Sequence, residues 1–186
     1  MSLQDILCNA SHITLEDVLV QFLKSESHHI AGLSGEIQQQ IANCLSGEGS
    51  DAVAATRAYF GPSASDDSPV YARLLGTRSC KNYDYQHAEL PIESLFTFGV
   101  NPKINLALES FRWNIKEFAL QAAHCFPDEF PNGGSVPQGE LRNLITVVAS
   151  DNRIRGAEVI DGFHRAVALI LAGERSIPSF VVRSNE

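Results

Sequence analysis

Apolar residues in the first 80 positions recur at one-turn spacing. Val18, Leu19, Phe22 and Leu23 follow Thr14 and Asp17, which stand at the spacing of a capping box. Ser34 precedes a run containing Ile37, Ile41 and Leu45, and Asp51 opens a segment with Val53, Ala54, Tyr59 and Phe60. Gly61-Pro62-Ser63 breaks the pattern, and Ser68-Pro69 then has the form of an N-cap followed by proline at the first helical position, leading into Tyr71, Leu74 and Leu75. This half is predicted to be a helical region over residues 1–84.

Beyond it the pattern shortens. Glu89 to Leu95 reads as an edge strand and turn, Pro102 opens a short helical stretch through Leu106 and Leu108, and Trp113 to His124 reads as a helix. Phe126 to Gly139 is a loop marked by Pro127, Pro131, Asn132-Gly133-Gly134 and Pro137-Gln138-Gly139. Leu141 to Val148 has the β-branched richness of a strand, Asp151-Asn152 supplies a turn, and Ile177 to Val182 is a final strand. The fold class expected is α/β (α+β), a small mixed sheet with helices over residues 85–186, preceded by the helical region.

The chemistry concentrates where one apolar run changes period. Ala157, Val159 and Ile160 end a strand; Ala166 to Ala172 form a buried helix stopped by Gly173; between them lies Asp161-Gly162-Phe163-His164-Arg165. The first N–H groups of such a helix lack internal partners and carry the positive end of its dipole, so a phosphate suits the position. Arg165 can add a bidentate contact and His164 a further donor. The plain alternative makes Asp161 an N-cap, Gly162 a turn residue and Arg165 a solvated side chain. Capping alone leaves no need for both His164 and Arg165.

Composition narrows the classes. The formal charge of −8 argues against sequence-independent coating of nucleic acid, which depends on neutralising phosphates. It leaves room for a nucleic-acid enzyme, because metal-dependent phosphodiester chemistry itself uses carboxylates. Arg153, Arg155, Arg165 and Arg175 cluster near the junction, and the first, second and fourth are candidate DNA contacts. Cys8, Cys44, Cys80 and Cys125 are widely spaced, with no zinc-ligand pattern, and read as isolated thiols. His28, His29 and His124 read as structural or solvated. Gly133, Gly134 and Gly139 lack the Lys-Ser/Thr ending of a P-loop; the loop reads as a connection, with a lid over Asp161 as its candidate role. No apolar run is long enough to span a membrane and Met1 to Asp5 lacks the features of a signal peptide, so a cytoplasmic location is expected.

The Leu90-Pro91-Ile92 strand, Asn101-Pro102-Lys103, a two-strand unit, and Ile160 to Arg165 leading to Ala172-Gly173 and Ile177-Pro178 together resemble the ParB/sulfiredoxin superfamily. The similarity covers about residues 88 to 183. It implies nucleotide phosphates bound at the Asp161-Gly162-Phe163-His164-Arg165 turn. Phe163 stands where sulfiredoxins carry their reactive Cys, so sulfinic-acid repair is not expected. Chromosome-type partition proteins add a helix-turn-helix and a dimerisation domain after this fold, whereas the sequence ends at Glu186, so a partition clamp is not expected. The short length, the helical N-terminal half and the lone superfamily domain look like the fertility-inhibition (oncogenic suppression) proteins of conjugative plasmids. That similarity implies ATP hydrolysis and DNA cleavage that block DNA transfer through a type IV secretion system, with DNA, ATP and a secretion coupling protein or the transferred nucleoprotein complex as partners. On this reading Asp161 holds Mg²⁺ or another divalent cation, or positions water. His164 and Arg165 stabilise phosphoryl oxygens, Gly162 lets the backbone approach, and Glu158 or Glu93 is the second carboxylate.

Overall fold

The computed structural model describes residues 2–47, 51–61, 83–97, 113–128, 135–148 and 156–184. Expectations for the Ser68-Pro69 segment, the Pro102 stretch, Gly133-Gly134, Asp151-Asn152, Arg153 and Arg155 fall outside these residues.

Helices lead, as the spacing predicts. They are α1 (Leu3–Cys8), α2 (Leu15–Ser25), α3 (Ser27–Ile30), α4 (Gly35–Ser46) and α5 (Ala52–Phe60), with a two-residue strand β1 (Ser11–His12) between the first two. Thr14 and Asp17 form the capping box: the Thr14 hydroxyl accepts from Asp17 N–H at 3.1 Å, and the Asp17 carboxylate accepts from Thr14 N–H at 2.8 Å. Two otherwise unpartnered donors are thereby satisfied at the start of α2. Asp51 caps α5 through Val53 N–H.

The remaining elements are β2 (Tyr83–Pro91), a 3₁₀ turn (Ile92–Ser94), β3 (Leu95–Thr97), β4 (Trp113–Asn114), α6 (Ile115–Cys125), a second 3₁₀ turn (Gly139–Arg142), β5 (Leu144–Val148), β6 (Ala157–Asp161), α7 (Phe163–Leu171) and β7 (Ser176–Ser184). Among the described residues, seven strands make one mixed sheet in the order β1-β2-β7-β5-β6-β3-β4. The β7–β5 and β6–β3 neighbours are parallel and the other pairs antiparallel. The architecture is α+β.

Three expectations are corrected. The segment from Glu89 is the end of a longer strand that begins at Tyr83; β1 pairs with it only at Gln86 and His87, so Glu89 to Pro91 pair with β7 alone before the turn. Trp113 belongs to β4, and the helix begins at Ile115 because the Asn114 side chain caps it, accepting from Lys116 N–H at 2.9 Å. Leu141 lies in a 3₁₀ turn, so the strand starts only at Leu144. That turn is held by the Glu140 carbonyl, which accepts from Gln21 Nε2 at 2.6 Å and Asn143 Nδ2 at 2.8 Å.

A three-residue 3₁₀ turn joins β2 to β3, although β7, β5 and β6 lie between them. Four strand spacings in a flat sheet would separate them by about 19 Å, more than such a turn spans at ~2 Å per residue. The sheet is therefore curled, bringing β2 and β3 together. One face buries Leu90, Leu95, Leu144, Val159, Ile177 and Val181 against α6 and α7 through Ile115, Phe118, Val167 and Leu169. The other buries Ile145, Ile160 and Val182 against Val18, Leu19, Phe22 and Leu23 of α2, with Ile41 of α4 and Ala55 of α5. Helices α2, α4 and α5 thus form the second layer over the sheet, while Leu7 of α1 joins the face of α6 and α7.

Candidate functional site

The period change at Asp161 becomes a sharp turn in space. Strand β6 alternates, with Ala157 and Val159 facing α6 and α7 and Ile160 facing the N-terminal helices. Its pairing with β5 then slips by one residue: Val159 opposes Thr146, but Asp161 opposes Ile145, leaving Ile160 as the extra residue. Such a bulge sets two successive side chains on one face. Asp161, which strict alternation would send toward α6 and α7, is delivered to the face of the N-terminal helices.

Gly162 follows with φ 92° and ψ 25°, a left-handed conformation suited to glycine. It is the N-cap residue of α7, and no side chain caps the helix there. The plain alternative, with Asp161 as N-cap, is therefore not what the structure shows; Asp161 lies one residue ahead. Buried Ala166, Val167, Ala168, Leu169 and Ile170 anchor the helix, and Gly173, at φ 87°, follows its end.

Arg165, on the first turn, folds back. Its Nη2 donates to Asp161 Oδ2 at 2.7 Å, and the two side chains are only 14% and 19% exposed, respectively. A Cβ on Gly162 would fall 2.7 Å from Arg165 Nη2 and 2.8 Å from its Nε, so the guanidinium lies directly over the glycine. Arg165 Nε is buried and has no hydrogen-bond partner among the described residues. Burial raises the Asp161 pKa above the ordinary carboxylate value. The charge of Arg165 opposes that rise, the charge of Glu26 adds to it, and hydrogen bonds from Arg165 and from Gly162 N–H work against it.

Glu26 and Tyr59 are the members of this cluster that sequence reading misses. Glu26 closes α2, and its Oε2 lies 2.8 Å from His29 Nδ1 and accepts from the hydroxyl of Tyr59 on α5. The Tyr59 ring is fixed by Phe22 and Phe60, at centroid distances of 5.6 and 5.1 Å. Burial, then the bond to Glu26, raises the Tyr59 pKa, and the charge of Asp161 adds to that shift. The bulge and the packing of α2 and α5 thus bring together Asp161, Arg165, Glu26 and Tyr59. The only local signal for Glu26 is a glutamate in the polar break after an amphipathic helix.

The other expected residues are dispersed. His164 is exposed on the first turn of α7. Glu158 is 9% exposed on β6, three residues before Asp161. Glu93 is exposed on the 3₁₀ turn, next to Ser94, whose carbonyl abuts Gly156 at the start of β6. Asp161 is at the other end of that strand, about 16 Å away at the usual rise. Arg175 is exposed, and its carbonyl accepts from Ile92 N–H, which places it beside the Glu93 turn. Gly139, at φ 54°, opens the second 3₁₀ turn, which is tied to α2 by Lys24 Nζ at 2.6 Å from Glu140 Oε2. Among the described residues, no group of three or more His, Cys, Asp or Glu side chains is arranged to hold a metal ion, and no helix is long and apolar enough to cross a membrane. Cys8, Cys44 and Cys125 are free thiols.

No family model, curated protein or solved structure matches the chain.

Proposed function

We propose that the chain is a cytoplasmic phosphohydrolase, an ATPase and metal-dependent DNase. It would act as a fertility inhibitor of conjugative plasmids, blocking passage of DNA through a type IV secretion system. The carrying observation is the start of α7, which no side chain caps and where the absence of a side chain on Gly162 lets the Arg165 guanidinium lie directly over the backbone, joined to Asp161. Helix N–H groups and a planar cationic fork converge there, the chemistry that recognises a phosphate. The likeness of the Asp161–Arg165 turn to the ParB/sulfiredoxin superfamily, and of the chain to the oncogenic suppression proteins, supplies the reaction class.

Hydrolysis of ATP and of a phosphodiester both break a P–O bond under attack by water, so one site serves both. Arg165, the α7 N–H groups and His164 face the charge developing on the phosphoryl oxygens, and Asp161 orients the water. A divalent cation such as Mg²⁺ needs one or two protein carboxylates besides the phosphates themselves. The donor chemistry of Asp161, with Glu26 beside it, fits that need, and the bound cation would supply further neutralisation of phosphoryl charge. DNA contact through Arg175, and through Arg153 and Arg155, would be to the backbone and weakly sequence-specific.

A second reading is a nucleotide-binding regulatory module that docks on a secretion or partition protein without turnover. The mutual engagement of Asp161 and Arg165 favours it, since each group neutralises the other.

Phosphate release from ATP and nicking of plasmid DNA, each with Mg²⁺ or EDTA, separate the readings when parent and Arg165→Ala are compared. Metal-dependent turnover lost in the variant supports the enzyme. Nucleotide binding without turnover supports the module. Arg165→Ala should weaken nucleotide binding by about 1.5 to 3 kcal/mol, the range for a hydrogen bond to a charged group. Unchanged affinity in a folded variant removes the phosphate site.

A further inference from the structure

Arg165 is held in place by an anion that the chain itself provides. Asp161 Oδ2 receives Nη2 at 2.7 Å with both side chains mostly buried, and Nε is buried without a partner among the described residues. A guanidinium fork offers several coplanar donors, and a carboxylate or phosphate that fits it takes two at once. The observed bond uses Nη2, so Asp161 fills the fork only in part. The pairing is also opposed by the negative charge of Glu26, which is fixed by Tyr59 and His29 and bears on Asp161. The bulge at Ile160 turns Asp161 to the face covered by the N-terminal helices, where Glu26 closes α2.

We infer that Asp161 is an internal stand-in for phosphate: it occupies Arg165 in the free protein, and an incoming phosphate binds by exchange, taking the guanidinium and releasing the carboxylate. This rests on the phosphate-site reading above and adds its regulation. A site whose competent state must first be uncovered binds with an apparent affinity reduced by the fraction uncovered. Removing the internal competitor therefore tightens binding, the opposite of what loss of an ordinary site residue does. Glu26, whose charge bears on Asp161, weakens the resident pair and favours exchange. Its removal has two opposing effects, less repulsion of the incoming phosphate and a firmer clasp, so its net effect is smaller than that of removing Asp161.

The test is calorimetric titration of ATP in EDTA, so that no cation bridges ligand and carboxylate, using the full chain, Asp161→Asn, Glu26→Gln and Arg165→Ala. Asp161→Asn should bind about tenfold more tightly than the parent, a difference of about 1.4 kcal/mol. Glu26→Gln should gain clearly less, and Arg165→Ala should lose affinity. If the parent binds and Asp161→Asn is no tighter, or Glu26→Gln gains as much, the exchange is overturned while the phosphate site stands. If neither parent nor Asp161→Asn binds, both ideas fall. Should Asp161→Asn not fold, the Arg165 Nε–H resonance of the parent decides. ATP should shift it and slow its hydrogen exchange, and an unmoved signal under saturating ATP overturns the exchange.

Discussion

At the scale of single residues, Gly162 carries the most restrictive demand. Its left-handed φ of 92° is strained for any other residue, and the space where a Cβ would sit is filled by the Arg165 guanidinium and, at 2.9 Å, by Leu144. Gly162→Ala is expected to cost on the order of 1–3 kcal/mol from backbone strain, with a further loss as Arg165 is pushed from Asp161. Chemical denaturation should show the first effect and nucleotide affinity the second; a variant as stable as the parent contradicts the geometry. The residues of this turn are legible in the sequence because they are contiguous. Glu26 and Tyr59 are not, because what joins them to Asp161 is the packing of α2 and α5 over the sheet, and nothing in helical periodicity records which polar side chain at a helix end will meet a distant strand.

At the scale of elements, the N-terminus of α2 shows what local chemistry fixes. Both halves of the capping box form, and the Thr14 side-chain and backbone donors hold the Asp17 carboxyl below its ordinary pKa. A carboxylate with a depressed folded-state pKa contributes stability that is complete above the unfolded value, here 3.8, and lost as pH falls through the folded one. Asp17→Ala should therefore destabilise the protein at pH 7, and the difference from the parent should shrink as pH drops below about 4. Urea denaturation at pH 7 and at low pH checks this; a difference independent of pH counts against the ionic cap. Thr14 and Asp17 could be read from spacing because a cap involves neighbours in sequence. The bulge in β6 could not, since Val159, Ile160 and Asp161 look like an ordinary strand end until the register against β5 is known. The strand beginning at Leu144 was blurred for a similar reason: Leu141 and Arg142 belong to a turn held by Gln21 from α2.

At the scale of the whole molecule, the helical region and the sheet share a core. Val182, Ile145 and Ile160 are covered by α2, α4 and α5, so the fragment 85–186 would expose three large aliphatic side chains together, each worth about 1.5–3 kcal/mol of burial. That fragment is expected to melt without a cooperative transition and to bind a hydrophobic dye. A sharp transition with no dye binding would show that the sheet and its two covering helices suffice by themselves. The α+β class and most helix and strand positions were legible from hydrophobic period. The strand order was not, because alternation tells which face a side chain takes and never which strand lies alongside.

The place of β7 in the sheet has a kinetic side. Among the described strands, β7 alone joins β2 to β5, and all nine residues of β2 pair with it. Those partners are separated by most of the second half of the chain, and contacts of such long range slow the search for the native state. Until β7 arrives, the two-residue β1 is the only described strand paired with β2, and the surfaces awaiting one another stay open to foreign strands. Refolding from denaturant should therefore be limited by the docking of one hairpin-free strand, and the yield should fall as protein concentration rises.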